Sequence, residues 1–413
     1  MHVVVLGAGV VGVTTAWQLL EDGHEVTVID RQVEAAHETS FANAGHIAVG
    51  HALAWANPRA LKTLVRSLVQ KDQPLRFRLH ADPAFWRWSL AFLRQCTEAR
   101  ARHNTRIKHR LCRYAQQALQ QLVAETGVEY DGSQVGVLYL YRSAETLERG
   151  VANLRILADA GQQMEVVDRE RAAQIDPALG PTKDRIAGAI YCPTDESGDS
   201  AKFSRELAAR CAERGARFLY ETTISAIDAV GDRVTRVRTD QGDVTADVYV
   251  LALGSYSSLL EGLGERLPVY PIKGYSLTLP IDGANNPPTV GGIDEDTLCA
   301  YVRLGDRLRA TSIAEFAGYD TSHRPADFAH IVSAMRELLP NAADYGRPQY
   351  WACLRPMTPE GTPILGHGRY HNLFYNTGHG HMGWTMACGT ARITADLIGG
   401  REPDLPLEGL TLN

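Results

Sequence analysis

The sequence predicts an α/β protein, with a Rossmann-like nucleotide-binding domain assembled from discontinuous segments and an α+β second domain built on a mixed or antiparallel sheet. Three observations carry this expectation. The chain opens with a β-branched run, His2–Leu6, then Gly7-Ala8-Gly9-Val10-Val11-Gly12, an apolar helical stretch, and a second strand-like run, Glu25–Ile29, closed by Asp30. Far downstream, Asp247–Leu253 forms another buried strand that ends in a Gly254-Ser255 turn, as a returning strand of the same sheet should. Between Pro268 and Glu315 strand-like runs follow one another, which predicts a separate sheet-based domain. The expected partition is 1–50, 145–260 and 345–413 for the nucleotide-binding domain and 51–144 and 261–344 for the second.

In the first unit each residue type has a mechanical task. Gly7 permits a tight turn, Gly9 lets the backbone approach a pyrophosphate, and Gly12 lets the helix pack closely on the strands. Free N–H groups and the positive dipole end of the helix, around Val10 and Val11, suit a phosphate. Asp30, eighteen residues after Gly12, can accept from a ribose hydroxyl and would repel a 2′-phosphate, an argument that Arg31 beside it softens. The motif alone leaves the choice of dinucleotide open.

Length and composition set the outer bounds. A chain of 413 residues exceeds what one core usually serves, and 45% hydrophobic with 22% charged residues is ordinary globular composition. A net charge of −6 argues against a nucleic-acid surface, which needs a concentrated basic face. The seven cysteines, at 96, 112, 192, 211, 299, 353 and 388, contain no C-x-x-C pair and no metal-finger spacing, the usage of a reducing compartment. Met1 leads directly into a strand without the regions of a signal peptide, and no run of apolar residues is long enough to span a bilayer. The expected location is cytoplasmic.

After Asp30 the small and hydroxyl-bearing run Glu38–His46 makes a loop suited to approach a phosphate or a planar ring, or simply to cap the next helix. From about Arg59 to Thr126 the pattern is helical, with Asp82-Pro83 as a start signal and Gly127 as a stop. Within it lie the aromatics Phe85, Trp86, Trp88 and Phe92, followed by a basic tract of Arg94, Arg100, Arg102, Arg106, Lys108, Arg110 and Arg113. A solvated face over a core is the first reading of that tract and a peripheral contact with an anionic membrane the second. Further on, the pattern gives strands near 135–141, 165–168 and 186–191, helices at 144–160 and 201–214, a set of strands from Arg217 to Leu253, and a helix from about Ala326 to Leu339. Asp195, Glu196 and Asp199 lack the spacing of a calcium loop, and a turn capping the following helix is expected instead. The chain closes on the strand Leu373–Tyr375, the loop Asn376–Trp384 and a helix to Ile398. That loop is a second glycine-rich helix start, able to stabilise negative charge on a ligand. His379 and His381 have no third ligand at a supporting spacing, so no metal is expected.

Taken together, the βαβ unit, Thr39–Gly45, Asp195–Asp199, Ala252–Ser257, Val269–Ser276, Leu354–Pro359, Asn376–Gly380 and Gly383–Gly389 resemble the small-subunit type of bacterial D-amino-acid dehydrogenase. That type belongs to the wider group of FAD-dependent amine oxidoreductases that includes glycine and sarcosine oxidases. The resemblance runs nearly end to end. It implies FAD as cofactor, with Gly7, Gly9, Val10, Val11 and Gly12 on the pyrophosphate, Asp30 and Arg31 at the adenosine ribose and Ile224 near the adenine. The flavin ring would lie between Thr39, Ser40, Asn43, Ala44 and Gly45 on one side and Gly378, His379, Gly380, Met382 and Gly383 on the other, with Gly254 also in contact. Arg355 matches the arginine that pairs with the substrate carboxylate, Tyr275 is a second donor, and His381 and His46 are candidates for selecting the neutral amine.

The activity implied is hydride transfer from the α-carbon of a D-amino acid to flavin N5, giving a 2-oxo acid and ammonia after hydrolysis. The chain departs from the family pattern at His46, His381 and Ala310-Thr311-Ser312. A cyclic imino acid such as D-proline or hydroxy-D-proline, or a glycine or sarcosine-type oxidase reaction, is therefore an alternative. A nicotinamide-dependent dehydrogenase and a non-catalytic flavin-binding assembly subunit are the others. Quinone or an electron-transfer protein is the expected electron acceptor, with peripheral contact on the cytoplasmic face of the inner membrane. Cys353 stands where the sarcosine oxidases carry a flavin-linked cysteine; packing is its first reading and a covalent bond its second.

Overall fold

In the computed structural model, residues 1–60, 75–78 and 82–412 are described. Part of the helical stretch expected from Arg59 onward therefore lies outside the described residues.

The first sheet has six strands, in the order Ile364–His367, Leu373–Thr377, Val248–Leu251, His2–Leu6, Glu25–Ile29 and Arg217–Leu219. All neighbours in it run parallel except the edge pair of 364–367 and 373–377. Its central strands are buried on both faces, which is why they read as continuous apolar runs and not as alternating ones. The N-terminal helix Val10–Glu21 and the C-terminal helix Gly383–Ile398 lie side by side on it, joined by the Thr14 hydroxyl donating to the Ala387 carbonyl at 3.3 Å. A small antiparallel sheet, Ile224–Val230, Arg233–Thr239 and Gly242–Val244, turns at Gly231 and at 240–241 as the sequence predicts.

The second sheet has nine strands and is mixed. Its order is Gln349–Met357, Tyr270–Pro280, Arg307–Phe316, Cys299–Leu304, Gly291–Asp294, Val137–Tyr141, Gly188–Cys192 and Glu165–Asp168, with Leu75–Phe77 pairing the end of 307–316. Its core is closed by Phe328, Ile331, Met335 and Leu338, from the short helical turn Pro325–Phe328 and the helix Ala329–Leu338.

Three expectations are corrected here. Strands 165–168 and 188–192 hydrogen-bond into the nine-stranded sheet, and strand 349–357 forms its edge, although the sequence partition placed all three with the nucleotide-binding segments. Short strands carry no local mark of which sheet will take them. Conversely, the helix Glu98–Thr126, assigned to the second domain, packs on the C-terminal helix. A side chain on Gly389 would meet the Ala115 Cβ at 2.7 Å, so the two helices touch through backbone and methyl group. Residues 75–77 form a strand within a stretch that reads as helical.

The helix starts follow the expected chemistry. Asp82, Thr97 and Asp199 cap their helices through side-chain oxygens, and Gly127 closes the long helix in the left-handed region at φ +66°. The basic tract does not form one solvated face. Arg94, Arg100, Arg102, Arg106 and Arg113 are exposed, but Lys108 points inward and its Nζ donates to the Leu53 carbonyl at 2.9 Å.

Candidate active site

A single cavity of about 1870 Å³ opens between the two sheets. Of the site residues expected from sequence, all but Gly12 and Gly378 line it. A pocket for one small molecule encloses about 300–1,000 Å³, so there is room for a dinucleotide and a second ligand.

At the nucleotide end, Gly7 sits at φ +104°, and a Cβ on it would lie 2.7 Å from the Ala252 carbonyl oxygen. A Cβ on Gly12 would lie 1.9 Å from the Gly7 oxygen, so helix and loop meet only because both residues lack side chains. Gly12 thus shapes the cradle from behind the cavity wall. Gly9 is the helix N-cap and offers no side chain to the helix end, while Val10 N–H donates to the Ser40 hydroxyl at 3.0 Å. The Asp30 carboxylate is held by the Ala8 N–H at 2.6 Å and the Gln32 N–H at 2.9 Å. Arg31 stacks 4.0 Å over the Tyr256 ring and pairs with Glu38 at 2.5 Å, which fixes the rim beside Asp30.

The 39–46 loop is tied on every side. Thr39 donates to the Leu354 carbonyl at 2.7 Å, Asn43 donates to the Ser200 hydroxyl at 2.7 Å and accepts from Gly45 N–H at 2.9 Å, and His46-Ile47 pairs with Glu196-Ser197. Asp195 and Glu196, taken from sequence as part of a capping turn, are both buried. Asp195 accepts from Gly50 N–H at 3.0 Å and from the Tyr139 hydroxyl at 2.7 Å, pinning the turn that carries His51. Across the cavity, Gly378 and Gly380 take positive φ values of +77° and +61° and pack against Thr358 and Met357, bringing the backbone of that loop to the wall.

Arg355 is the electrostatic centre of the other end. Its guanidinium lies half-buried in the wall, Nη1 donates to the Ile313 carbonyl at 2.8 Å, and no carboxylate pairs with it among the described residues. Burial pulls its pKa down to about 10, still far above neutral, so the charge stays. Two neighbours invisible in the sequence position it. A Cβ on Gly274 would lie 2.5 Å from Arg355 Cζ, so the guanidinium rests on bare backbone. Ile313 sits at φ +66°, in the left-handed region that β-branched residues avoid, where the register of 270–280 against 307–316 slips between Gly274 and Tyr275. That bulge turns the Ile313 carbonyl onto Arg355 at a strain of about 1–3 kcal/mol.

Tyr275 requires correction. Its hydroxyl donates to Glu315, in a network with Arg78 and Lys273, so in this structure its proton is not available as a second donor to a carboxylate beside Arg355. The imidazoles divide by environment. His379 is structural: its ring bonds Thr390 at 3.0 Å, and burial lowers its pKa to about 3. His381 stacks on Trp55 at 4.6 Å and meets His51 edge-on at 5.8 Å, and its Nε2 has no partner. Burial, then the neighbouring cations Lys108 and Arg355, hold it well below the ordinary histidine range. His46 is buried, with its ring set against the backbone of Gly292 and Tyr301, and is lowered to about 4 by burial. Both rings are therefore neutral near pH 7 and can accept a hydrogen bond. Among the described residues no group of three or more His, Cys, Asp or Glu is placed to hold a metal.

The comparisons with known proteins agree with this geometry. The DAO family model, described as FAD dependent oxidoreductase, matches residues 2–397. The chain belongs to this family. As a member of the DAO family it uses FAD. It is 47% identical to D-amino acid dehydrogenase 2 of Mesorhizobium japonicum over 99% of both chains. It is 44% identical to D-amino acid dehydrogenase of Paramagnetospirillum magneticum, covering all of this chain and 98% of that one. Among solved structures it is similar to glycine oxidase from Geobacillus kaustophilus, with a TM-score of 0.75 at 20% identity over 100% of this chain and 98% of the other. L-proline dehydrogenase from P. horikoshii gives a TM-score of 0.76 at 19% identity, over 100% and 96%. At those identities the structures speak for the DAO fold alone.

Cys353 lies beside this fold's cofactor loop, its Sγ 3.4 Å from Thr39 Oγ1. Burial raises its pKa, so the thiol is protonated near neutral pH and a poor nucleophile. Acid precipitation is expected to leave all flavin colour in the supernatant; colour in the pellet, with a polypeptide mass raised by FAD, would show a bond. Gly274→Ala should push the guanidinium off its seat and raise KM at least about tenfold with FAD content unchanged. A wild-type KM in that variant would show that Arg355 does not depend on the Gly274 backbone.

Proposed function

We propose that the chain oxidatively deaminates D-amino acids to 2-oxo acids and ammonia. The observation that carries this reading is Arg355, a half-buried guanidinium lining the cavity with no acidic partner among the described residues. A partly desolvated cation without a counter-charge gains from an anion, and a substrate carboxylate is the group that fits it. The full-length relatives named D-amino acid dehydrogenase support the D configuration.

FAD supplies the two-electron acceptor for hydride lost from the substrate α-carbon. The Gly7–Gly12 loop would hold its pyrophosphate, Asp30 its ribose, Ile224 the adenine end, and the loops at 39–45 and 378–383 its ring. Arg355 takes the substrate carboxylate with the donors that Ile313 leaves free, a planar fork that fixes orientation as well as charge. His381 is neutral here, and it is the Arg355 charge together with desolvation on this wall that disfavours an ammonium and so favours the neutral amine. Trp55 and His51 cover His381 and exclude water from that face. The imino acid then hydrolyses in water without a further residue.

For the electron acceptor we infer quinone reached from a membrane surface. The helix Pro83–Gln95 exposes Trp86, Leu90 and Leu93, spaced four and three residues apart on one face, and Trp86 and Leu93 also stand at the cavity. Exposed Arg87, Arg94, Arg100 and Arg102 flank them, a pairing of apolar and cationic groups suited to anionic lipid. No helix of the described residues is long and apolar enough to cross a membrane.

Anaerobic mixing with a panel of D-amino acids, D-proline and hydroxy-D-proline should bleach the flavin absorbance, and Arg355→Lys should raise KM more than about tenfold with FAD retained. No bleaching by any member removes the activity, and an unchanged KM removes Arg355 from the carboxylate. With anionic vesicles the protein should sediment at low salt and be released at high salt; fast oxygen consumption without vesicle binding would show an oxidase instead.

A further inference from the structure

We propose that Glu295 forms the far pole of the substrate pocket and selects D-amino acids whose side chain ends in an amino or guanidino group. The proposal rests on the reading of Arg355 as the α-carboxylate site and adds the side-chain class to it. Glu295 follows the strand Gly291–Asp294, and its backbone N–H is fixed on the Leu140 carbonyl at 3.0 Å. Its side chain lines the same cavity as Arg355. A row of rings connects the two. His381 lines the cavity with Arg355 and meets His51 at 5.8 Å, and His51 Nδ1 stands 3.8 Å from Glu295 Oε1.

No cation answers this carboxylate among the described residues. Burial lowers the pKa of His51 to about 4, so that ring is neutral. Arg142 is engaged by Asp294 at 2.7 Å and Glu337 at 2.9 Å, and Lys108 by the Leu53 carbonyl. Asp294 and Asp296 flank Glu295 with like charge, and with burial they raise its pKa to about 7. A carboxyl group so placed gains from a ligand cation or N–H donor and gains nothing from an aliphatic terminus. The pocket is thus electrically two-ended, with a cation for the carboxylate and an acid for a basic side-chain end, joined by neutral rings that accommodate the methylenes between.

The test is steady-state turnover by the holoenzyme at about pH 8, where Glu295 is mostly ionised, with D-arginine and D-lysine against D-norleucine and D-methionine. Wild type should favour the basic substrates in kcat/KM by at least about tenfold. Glu295→Gln should remove most of that preference by lowering kcat/KM for D-arginine and D-lysine at least about tenfold more than for D-norleucine, with the flavin spectrum reporting an intact fold. Equal kcat/KM for basic and neutral substrates in wild type overturns the proposal even if the variant does not fold. An equal loss for both classes in Glu295→Gln overturns it as well. Oxidation of D-norleucine without preference leaves the amino-acid reading standing and removes only the selectivity, whereas no flavin reduction by any D-amino acid removes both.

Discussion

A half-buried guanidinium on the cavity wall without a counter-charge among the described residues is the constraint around which this end of the fold is shaped. Arg355 stays charged because even a lowered guanidinium pKa lies well above neutral, and it stays in place because the backbone around it is shaped to receive it. Gly274 supplies a flat bed, Ile313 supplies a carbonyl at the cost of an unfavourable φ, and the slipped register between their strands makes both possible. Removing the bulge would restore a regular ladder and lose the aim of that carbonyl. Local strain persists where the surrounding sheet over-determines it, and here it persists beside Arg355, which has no carboxylate partner among the described residues.

The nucleotide end is governed by contact distance. Gly7 and Gly12 approach so closely that no side chain fits between loop and helix, and Asp30 is held by two backbone N–H groups before any ligand is considered. Between the two ends, burial keeps His46, His51 and His381 neutral, so the cavity wall offers acceptors and aromatic surface without charge.

The boundary between the two sheets is where local reasoning and three-dimensional packing part. The helix Glu98–Thr126 packs on the C-terminal helix of the nucleotide unit, and Lys108, part of a run that reads as a basic surface, turns inward to hold Leu53. The same long helix contributes exposed arginines and a buried lysine because a helix has a solvent face and a core face, and a charge count along the chain does not separate them.

The sequence by itself determined the features that arise from contiguous residues. These are the βαβ unit with its glycines and Asp30, the caps at Asp82 and Asp199, the stop at Gly127, the turns of the small sheet, the second glycine-rich helix start at 378–383 and, through resemblance, Arg355. Each follows from backbone conformation, capping or hydrophobic period, which act over a few residues. Only the tertiary structure decided which sheet would take strands 165–168, 188–192 and 349–357. It also decided that the Tyr275 hydroxyl bonds Glu315, that Asp195 pins the turn before His51, and that Gly274, Ile313 and Glu295 line the same cavity as Arg355. Those outcomes depend on register and side-chain direction between segments distant in sequence, and a one-residue slip in a strand reverses which face a side chain meets.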